Sequence, residues 1–318
     1  VKEANITKMQ PPKERRQRMP SPSAQSVKET LLVAHELPDG STAVSQLNVE
    51  GKLLKRFGNL PGSGAGSNEF RPHLTWSGGF LFRSNGIYLN TISEFNPDGT
   101  LKATITPTTS PQHNIVPIAQ DFTNSSIYMV DTFAGSNVVR HLDDPTTGAS
   151  SSFAVLQYEG IGGVSDLYYG RSDGSTALYA LTPTSPDIVP DPRSRVAKID
   201  ANGTVQFFDN PKLKVPWIFD VGSLAVAPDG DTIYVATSTE IVEMDATGAP
   251  LGSFALVDTK PSLDVDAEGR IYVGHFDSTN GQIDVFRPKG QLLKTINVPE
   301  ATKVFDVLVE RPSKQMVH

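Results

Sequence analysis

Six histidines, no cysteine and a scatter of aspartates are what this 318-residue chain offers for chemistry. Without cysteine there is neither a disulfide framework nor a thiolate zinc site. Imidazole and carboxylate donors remain. A catalytic zinc takes three protein ligands and keeps one position open, whereas a hard cation such as Ca²⁺ takes oxygens. No local motif assembles either kind of site: HExxH, GxSxG and the phosphate loop are all absent. The Gly-rich run at 62–66 precedes a strand pattern, so no helix N-terminus awaits a phosphate there. Any site must therefore be gathered from distant residues by the fold. The candidates are His73, His113, Asp166, Trp217, Asp220, Asp264 and Asp306.

The elements that would gather them repeat along the chain. Residues 221–254 and 260–296 each read as four short strands separated by turn residues. In both, a small-residue strand (SLAVA, SLDVD) is followed by a turn (PDG, AEG), then by IYVA or IYVG. A third strand, a Gly-containing turn and a last strand complete the unit. Alternation of apolar and polar residues predicts half-buried strands, and Asp-Gly or Lys-Gly supplies the turn chemistry. The frame recurs with more drift over 71–106, 115–158 and 164–208. Residues 31–57 carry three strands and lack the innermost one, while VFDVLV at 304–309 has no successor. Placed before Leu31, that segment completes the first unit, so the reading is a closed all-β ring: a six-bladed β-propeller of four-stranded antiparallel blades. Closure by the C-terminal strand removes exposed sheet edges. The organisation is a basic arm over residues 1–30 and the propeller over 31–318.

Two stretches resemble the NHL-repeat family. GNLPGSGAGSNEFRP (58–72) is similar to the NHL linker, a Gly-rich run ending in Phe and Pro before an inner strand. GRIYVGHFDSTNGQIDVF (269–286) is similar to the NHL core. The resemblance spans about residues 31–310 and implies a propeller that serves as an interaction platform. It also implies that Asp266 is a turn residue. Some NHL-like propellers are metal-dependent lyases with one His per blade around the axis; His73 and His113 suit that pattern, and a third axial His is lacking. Lactonase-type propellers hold a cation with a Glu, an Asn and an Asp, and the His35-Glu36 segment lacks the expected flanking residues.

In such a ring, loops between blades and loops joining second to third strands share one face. His35, His73, His113 and His275 map to that face, the first and last of them to peripheral loops, whereas His141 lies in a third strand. The Pro-rich excursion at 182–193 and the segment carrying Trp217 and Asp220 form a stiff surface beside an aromatic, suited to recognition. Trp217 also reads as a plug for the propeller mouth. Asp166, Asp220, Asp264 and Asp306 sit near the axis. Either two of them converge on a cation, or each bonds backbone amides where an inner strand begins; the second is the expectation.

Charge narrows the partners. Residues 1–30 hold seven basic and three acidic side chains, net +4, which leaves −11 on residues 31–318 of a chain at −7. An acidic body without a basic, aromatic-bearing stripe excludes nucleic acid. No apolar run reaches the ~20 residues of a transmembrane helix. Sequons stand at Asn5, Asn124 and Asn202. A first residue of Val rather than Met points to a removed export signal, hence to an extracytoplasmic location. The arm has the composition of a disordered segment; opposite charge on arm and body suits docking on its own ring or on a neighbouring copy. The resulting expectation is a non-catalytic extracytoplasmic propeller that binds a protein partner or self-assembles, with no cofactor. The competing expectation is a metal-dependent lyase or hydrolase with its site in the central channel.

Overall fold

A computed structural model describes residues 29–57, 74–76, 80–83, 91–96, 98–107, 114–121, 123–133, 136–158, 161, 163–172, 175–184, 194–210, 212–213, 221–237, 239–256, 261–276 and 280–310. His73, His113, Trp217, Asp220, the arm before Glu29, the 58–72 linker and the Pro-rich run at 185–193 lie outside them.

Every named element is a strand, and among the described residues no helix is long and apolar enough to cross a membrane. The first sheet contains β1 (Thr30–Glu36), β2 (Thr42–Asn48) and β3 (Leu53–Phe57). The second contains β4 (Leu74–Trp76), β5 (Phe80–Arg83), β6 (Ile92–Phe95) and β7 (Leu101–Ile105). The third contains β8 (Asn114–Gln120), β9 (Ile127–Phe133), β10 (Ser136–Asp144) and β11 (Ala149–Leu156). The fourth contains β12 (Asp166–Ser172), β13 (Ser175–Thr182), β14 (Arg195–Ile199) and β15 (Val205–Asp209). The fifth contains β16 (Val221–Val226), β17 (Thr232–Thr237), β18 (Glu240–Asp245) and β19 (Pro250–Ala255). The sixth contains β20 (Ser262–Val265), β21 (Ile271–Gly274), β22 (Gln282–Phe286) and β23 (Leu292–Asn297). The last strand, β24 (Lys303–Glu310), pairs antiparallel with β1 and completes the first sheet in the order β24-β1-β2-β3. Thr30 faces Glu310 and Leu31 faces Val309 in that ladder. Sequence-distant ends of the chain thus share one sheet.

The four-stranded antiparallel sheets are arranged as propeller blades. Hydrogen bonding yields six such sheets, while blade geometry counts five; β4 and β5, at three and four residues, make the second sheet the least regular. Burial grades outward, as a stack of blades demands. β20 and β21 are buried throughout, whereas β19 has only exposed and half-buried positions and β23 buries Ile296 alone. The core is accordingly divided among the gaps between sheets. Leu224, Val235 and Val242 of the fifth sheet meet Tyr179, Leu181 and Val196 of the fourth. Val304, Val307 and Val309 meet Tyr272, Ile283 and Val285 of the sixth.

One local device recurs at the turn between the third and fourth strands. A glycine at φ near +80° sits where the turn closes: Gly51, Gly99, Gly203, Gly248 and Gly290. Each donates its N–H to the carbonyl three residues earlier, as from Gly248 to Asp245 at 2.9 Å. A Cβ at this position would press on the preceding blade, on Phe57 at Gly99, Phe208 at Gly248 and Phe254 at Gly290. At Gly51 the neighbour is Ile296 of the sixth sheet, 2.7 Å from a hypothetical Cβ. Glycine is required there twice over, for backbone hand and for close approach.

Candidate functional site

The inner strands place an Asp at comparable positions in three sheets. Asp166 opens β12, Asp264 lies in β20 and Asp306 in β24. Asp166 is buried; its Oδ1 accepts the Leu167 N–H at 2.8 Å. Its Oδ2 accepts the Leu224 N–H at 2.7 Å and the Ser223 hydroxyl at 2.5 Å, both from the next sheet. Asp264 repeats the scheme. Oδ1 accepts the Val265 N–H at 2.8 Å and the Tyr168 hydroxyl at 2.9 Å, and Oδ2 accepts the Val309 N–H of β24 at 2.8 Å. Asp306 accepts the Val307 N–H at 3.0 Å. Asp166 and Asp264 thus tie one inner strand to the next, using the charge of a carboxylate to satisfy amides that no ladder partner serves.

The histidines divide by environment. His35 lies within β1, fully buried, rather than in the peripheral loop expected of it. Its Nε2 bonds the Ser45 hydroxyl oxygen at 2.8 Å, and burial pushes its pKa down to about 4. His275, just beyond β21, bonds Asp284 at 3.1 Å, and Asp284 also accepts the Thr295 hydroxyl at 2.5 Å. His141 is in the third strand of its sheet, bonded to Asp143 at 2.9 Å. Each of these three has a local partner on its own sheet.

Two arrangements escaped the sequence reading. The first surrounds Asp266, whose Oδ1 accepts the Glu268 and Arg270 N–H groups at 3.0 and 2.8 Å, the turn role that the resemblance implies. Glu29 and Glu268 approach it closely enough for three carboxylate oxygens to fall within 4.8 Å of one another. Arg270 supplies the cation. Its Nη2 bonds Glu29 at 3.1 Å and Glu268 at 2.7 Å, and its Nε bonds Asp266. Burial, then the nearby Asp266, raises the Glu29 pKa.

The second is a cleft of about 180 Å³ between the third and fourth sheets, lined by Asp121, Asn124, Tyr128, Phe153, Tyr169 and Asp200 among others. Tyr128 and Tyr169 stack nearly parallel with ring centroids 6.0 Å apart, and Phe153 leans on Tyr128 at 5.0 Å. Burial foremost, with Asp121 adding to it, raises the pKa of the Tyr128 hydroxyl. The available signal was positional: Asp121 follows its inner strand as Asp266 follows β20, so both are turn aspartates.

No family model and no curated protein matches the chain. Solved structures do. A chain from a nidogen–laminin complex has a TM-score of 0.60 at 11% identity, over 88% of this chain and 98% of that one. The chain is a β-propeller. A gluconolactonase from Xanthomonas campestris gives 0.54 at 16% identity, over 93% and 96% of the two chains. Regucalcin, a calcium-binding protein from Agrobacterium tumefaciens, gives 0.53 at 17%, over 75% and 77%. At these identities the likeness concerns fold, and function must be argued from sites.

Proposed function

We propose that this propeller is a non-catalytic NHL-like platform of six blades that binds a protein partner or assembles with itself. One observation carries the reading: Asp166 and Asp264, buried carboxylates of β12 and β20, are engaged by backbone amides and hydroxyls of adjoining sheets. Each has at least three of its acceptor positions occupied, which suits it poorly to a metal ion that demands several free oxygens from converging ligands. The arm, at net +4 through residue 30 against an acidic ring, is the proposed assembly element. Exposed ion pairs contribute only ~0–1 kcal/mol each, so burial of Ile6, Met9 or Met19, or strand addition on an outer edge, would have to supplement charge.

Gluconolactonase and regucalcin among the structural neighbours make a metal-dependent hydrolase the reading to test against. The purified chain is assayed with glucono-lactone in the presence of Ca²⁺, Zn²⁺ or Mn²⁺. The expected rate equals the uncatalysed one. Turnover lost in a folded Asp166→Asn or Asp264→Asn variant would overturn the platform. For assembly, molar mass by light scattering is compared with and without residues 1–28, leaving Glu29 in place because it bonds Arg270. A mass per particle that does not change removes the arm from the proposal.

A further inference from the structure

The cleft between the third and fourth sheets deepens the platform reading, on which the following rests, by naming a partner chemistry. Asp121 and Asp266 occupy equivalent turns, and each carboxylate accepts local donors on Oδ1 and a tyrosine hydroxyl on Oδ2. Thr123 donates its N–H and hydroxyl to Asp121 at 2.7 and 2.6 Å, and Tyr169 donates its hydroxyl at 2.7 Å. The difference lies in the counter-charge. Asp266 has Arg270. Asp121 is only 3% exposed, yet no Lys, Arg or His pairs with it among the described residues. Three donated hydrogen bonds offset part of the cost of burying this carboxylate, and an approaching cation can offset the rest.

The surroundings indicate what that cation is. Among the described residues lining the cleft none is basic, and Asp200 adds an exposed second carboxylate, kept ionised below the ordinary range by N–H groups of Thr204 and Asn202. The faces of Tyr128, Tyr169 and Phe153 offer apolar contact for an alkyl stem and a π surface for a positive head. A carboxylate has about four acceptor positions, and three on Asp121 are taken. One remaining position suits an ammonium, a point charge, better than the two-pronged guanidinium. We propose that this cleft receives a lysine side chain presented by a partner protein, its ammonium on Asp121 and its stem along the tyrosines. Residues of the β8–β9 and β14–β15 turns line the cleft, and the β1–β2 turn, which joins a second to a third strand, belongs to the opposite ends of the strands.

The test uses a fluorescein-labelled peptide of lysines spaced by glycine and serine, titrated against the full chain by anisotropy. Acetylating the lysines, or replacing them with arginine, is expected to weaken binding. Asp121→Asn should cost about tenfold or more, the loss typical when one partner of a buried charge pair is removed. Tyr128→Leu, which keeps apolar bulk and removes the ring face, should weaken binding severalfold; this second variant keeps the test decisive if Asp121→Asn unfolds. Asp39→Asn, an exposed change in the β1–β2 turn, should leave it unchanged. Equal binding of the acetylated peptide, or an equal loss in Asp39→Asn, would overturn the proposal in favour of diffuse attraction to an acidic ring. Choline or free lysine amide binding as tightly as the peptide would overturn its protein-borne source. Absence of peptide binding without lactone turnover discards the cleft alone, whereas lactone turnover discards the platform itself.

Discussion

Replacing Gly290 by Ala separates two demands that the fold makes on one residue. Gly290 closes the β22–β23 turn at φ +82°, and its N–H reaches the Arg287 carbonyl at 3.1 Å. An added Cβ would overlap Cβ and Cγ of Phe254 and lie 2.8 Å from its Cδ2. The root of that side chain has no freedom to swing away, so backbone must move. Gly269 provides the reference. Its φ is +79°, its N–H makes the same kind of turn bond at 3.1 Å to Asp266, and a Cβ there would meet nothing closer than Pro288 at 3.9 Å. Gly269→Ala therefore carries the backbone penalty alone, about 1 kcal/mol once the lower entropy of the unfolded alanine chain is subtracted. Gly290→Ala adds overpacking of ~1–3 kcal/mol. Urea unfolding of both variants, with equal m-values, should show Gly290→Ala losing two to four times as much stability, as order-of-magnitude figures. Equal losses would mean that the turn glycines do not hold the blades together, and the inter-blade packing account would fail.

Three further expectations follow from the same contacts. Deleting the chain from Val304 onward removes buried Val304, Phe305, Val307 and Val309, each worth about 1.5–3 kcal/mol, a total comparable with the roughly 5–15 kcal/mol by which domains are stable. Loss of the cooperative unfolding transition is the expected result; a truncated protein that still unfolds cooperatively near the original midpoint would refute closure by β24. His35 is buried neutral, with its pKa depressed from 6.5 to about 4, so the unfolded chain takes up the proton first. Stability should fall as pH drops from about 6.5 to 4, by on the order of 3 kcal/mol, and His35→Gln should flatten the slope measured by urea midpoints across that window. Asp166→Ala leaves the Leu224 N–H and Ser223 hydroxyl without their acceptor at a buried site; about 2–5 kcal/mol should be lost in thermal or urea unfolding, and a loss below 1 kcal/mol would show that the inter-blade link is dispensable.

Periodicity alone carried the strand pattern a long way. Alternating apolar residues and Gly-bearing turns located the four strands of the fifth and sixth sheets, and the orphan VFDVLV pointed to pairing of the chain ends, which β24 and β1 make. These features are local or composition-based, so a single chain displays them. The turn role of Asp266 came from the NHL resemblance, and its carboxylate does bond amides two and four residues away. The partners of Asp166 were not legible. Ser223 and Leu224 stand more than fifty residues further on, and only the stacking of one blade on the next brings them to the carboxylate. His35 illustrates the same limit, since a strand-end histidine reads alike whether it faces solvent or, as here, the Ser45 hydroxyl in the core. The 180 Å³ cleft belongs wholly to tertiary structure: Asp121 of the third sheet and Tyr169 of the fourth meet across an inter-blade gap. Spacing along the chain encodes which face of a strand a residue occupies, and the packing of neighbouring blades decides which charges that face must answer.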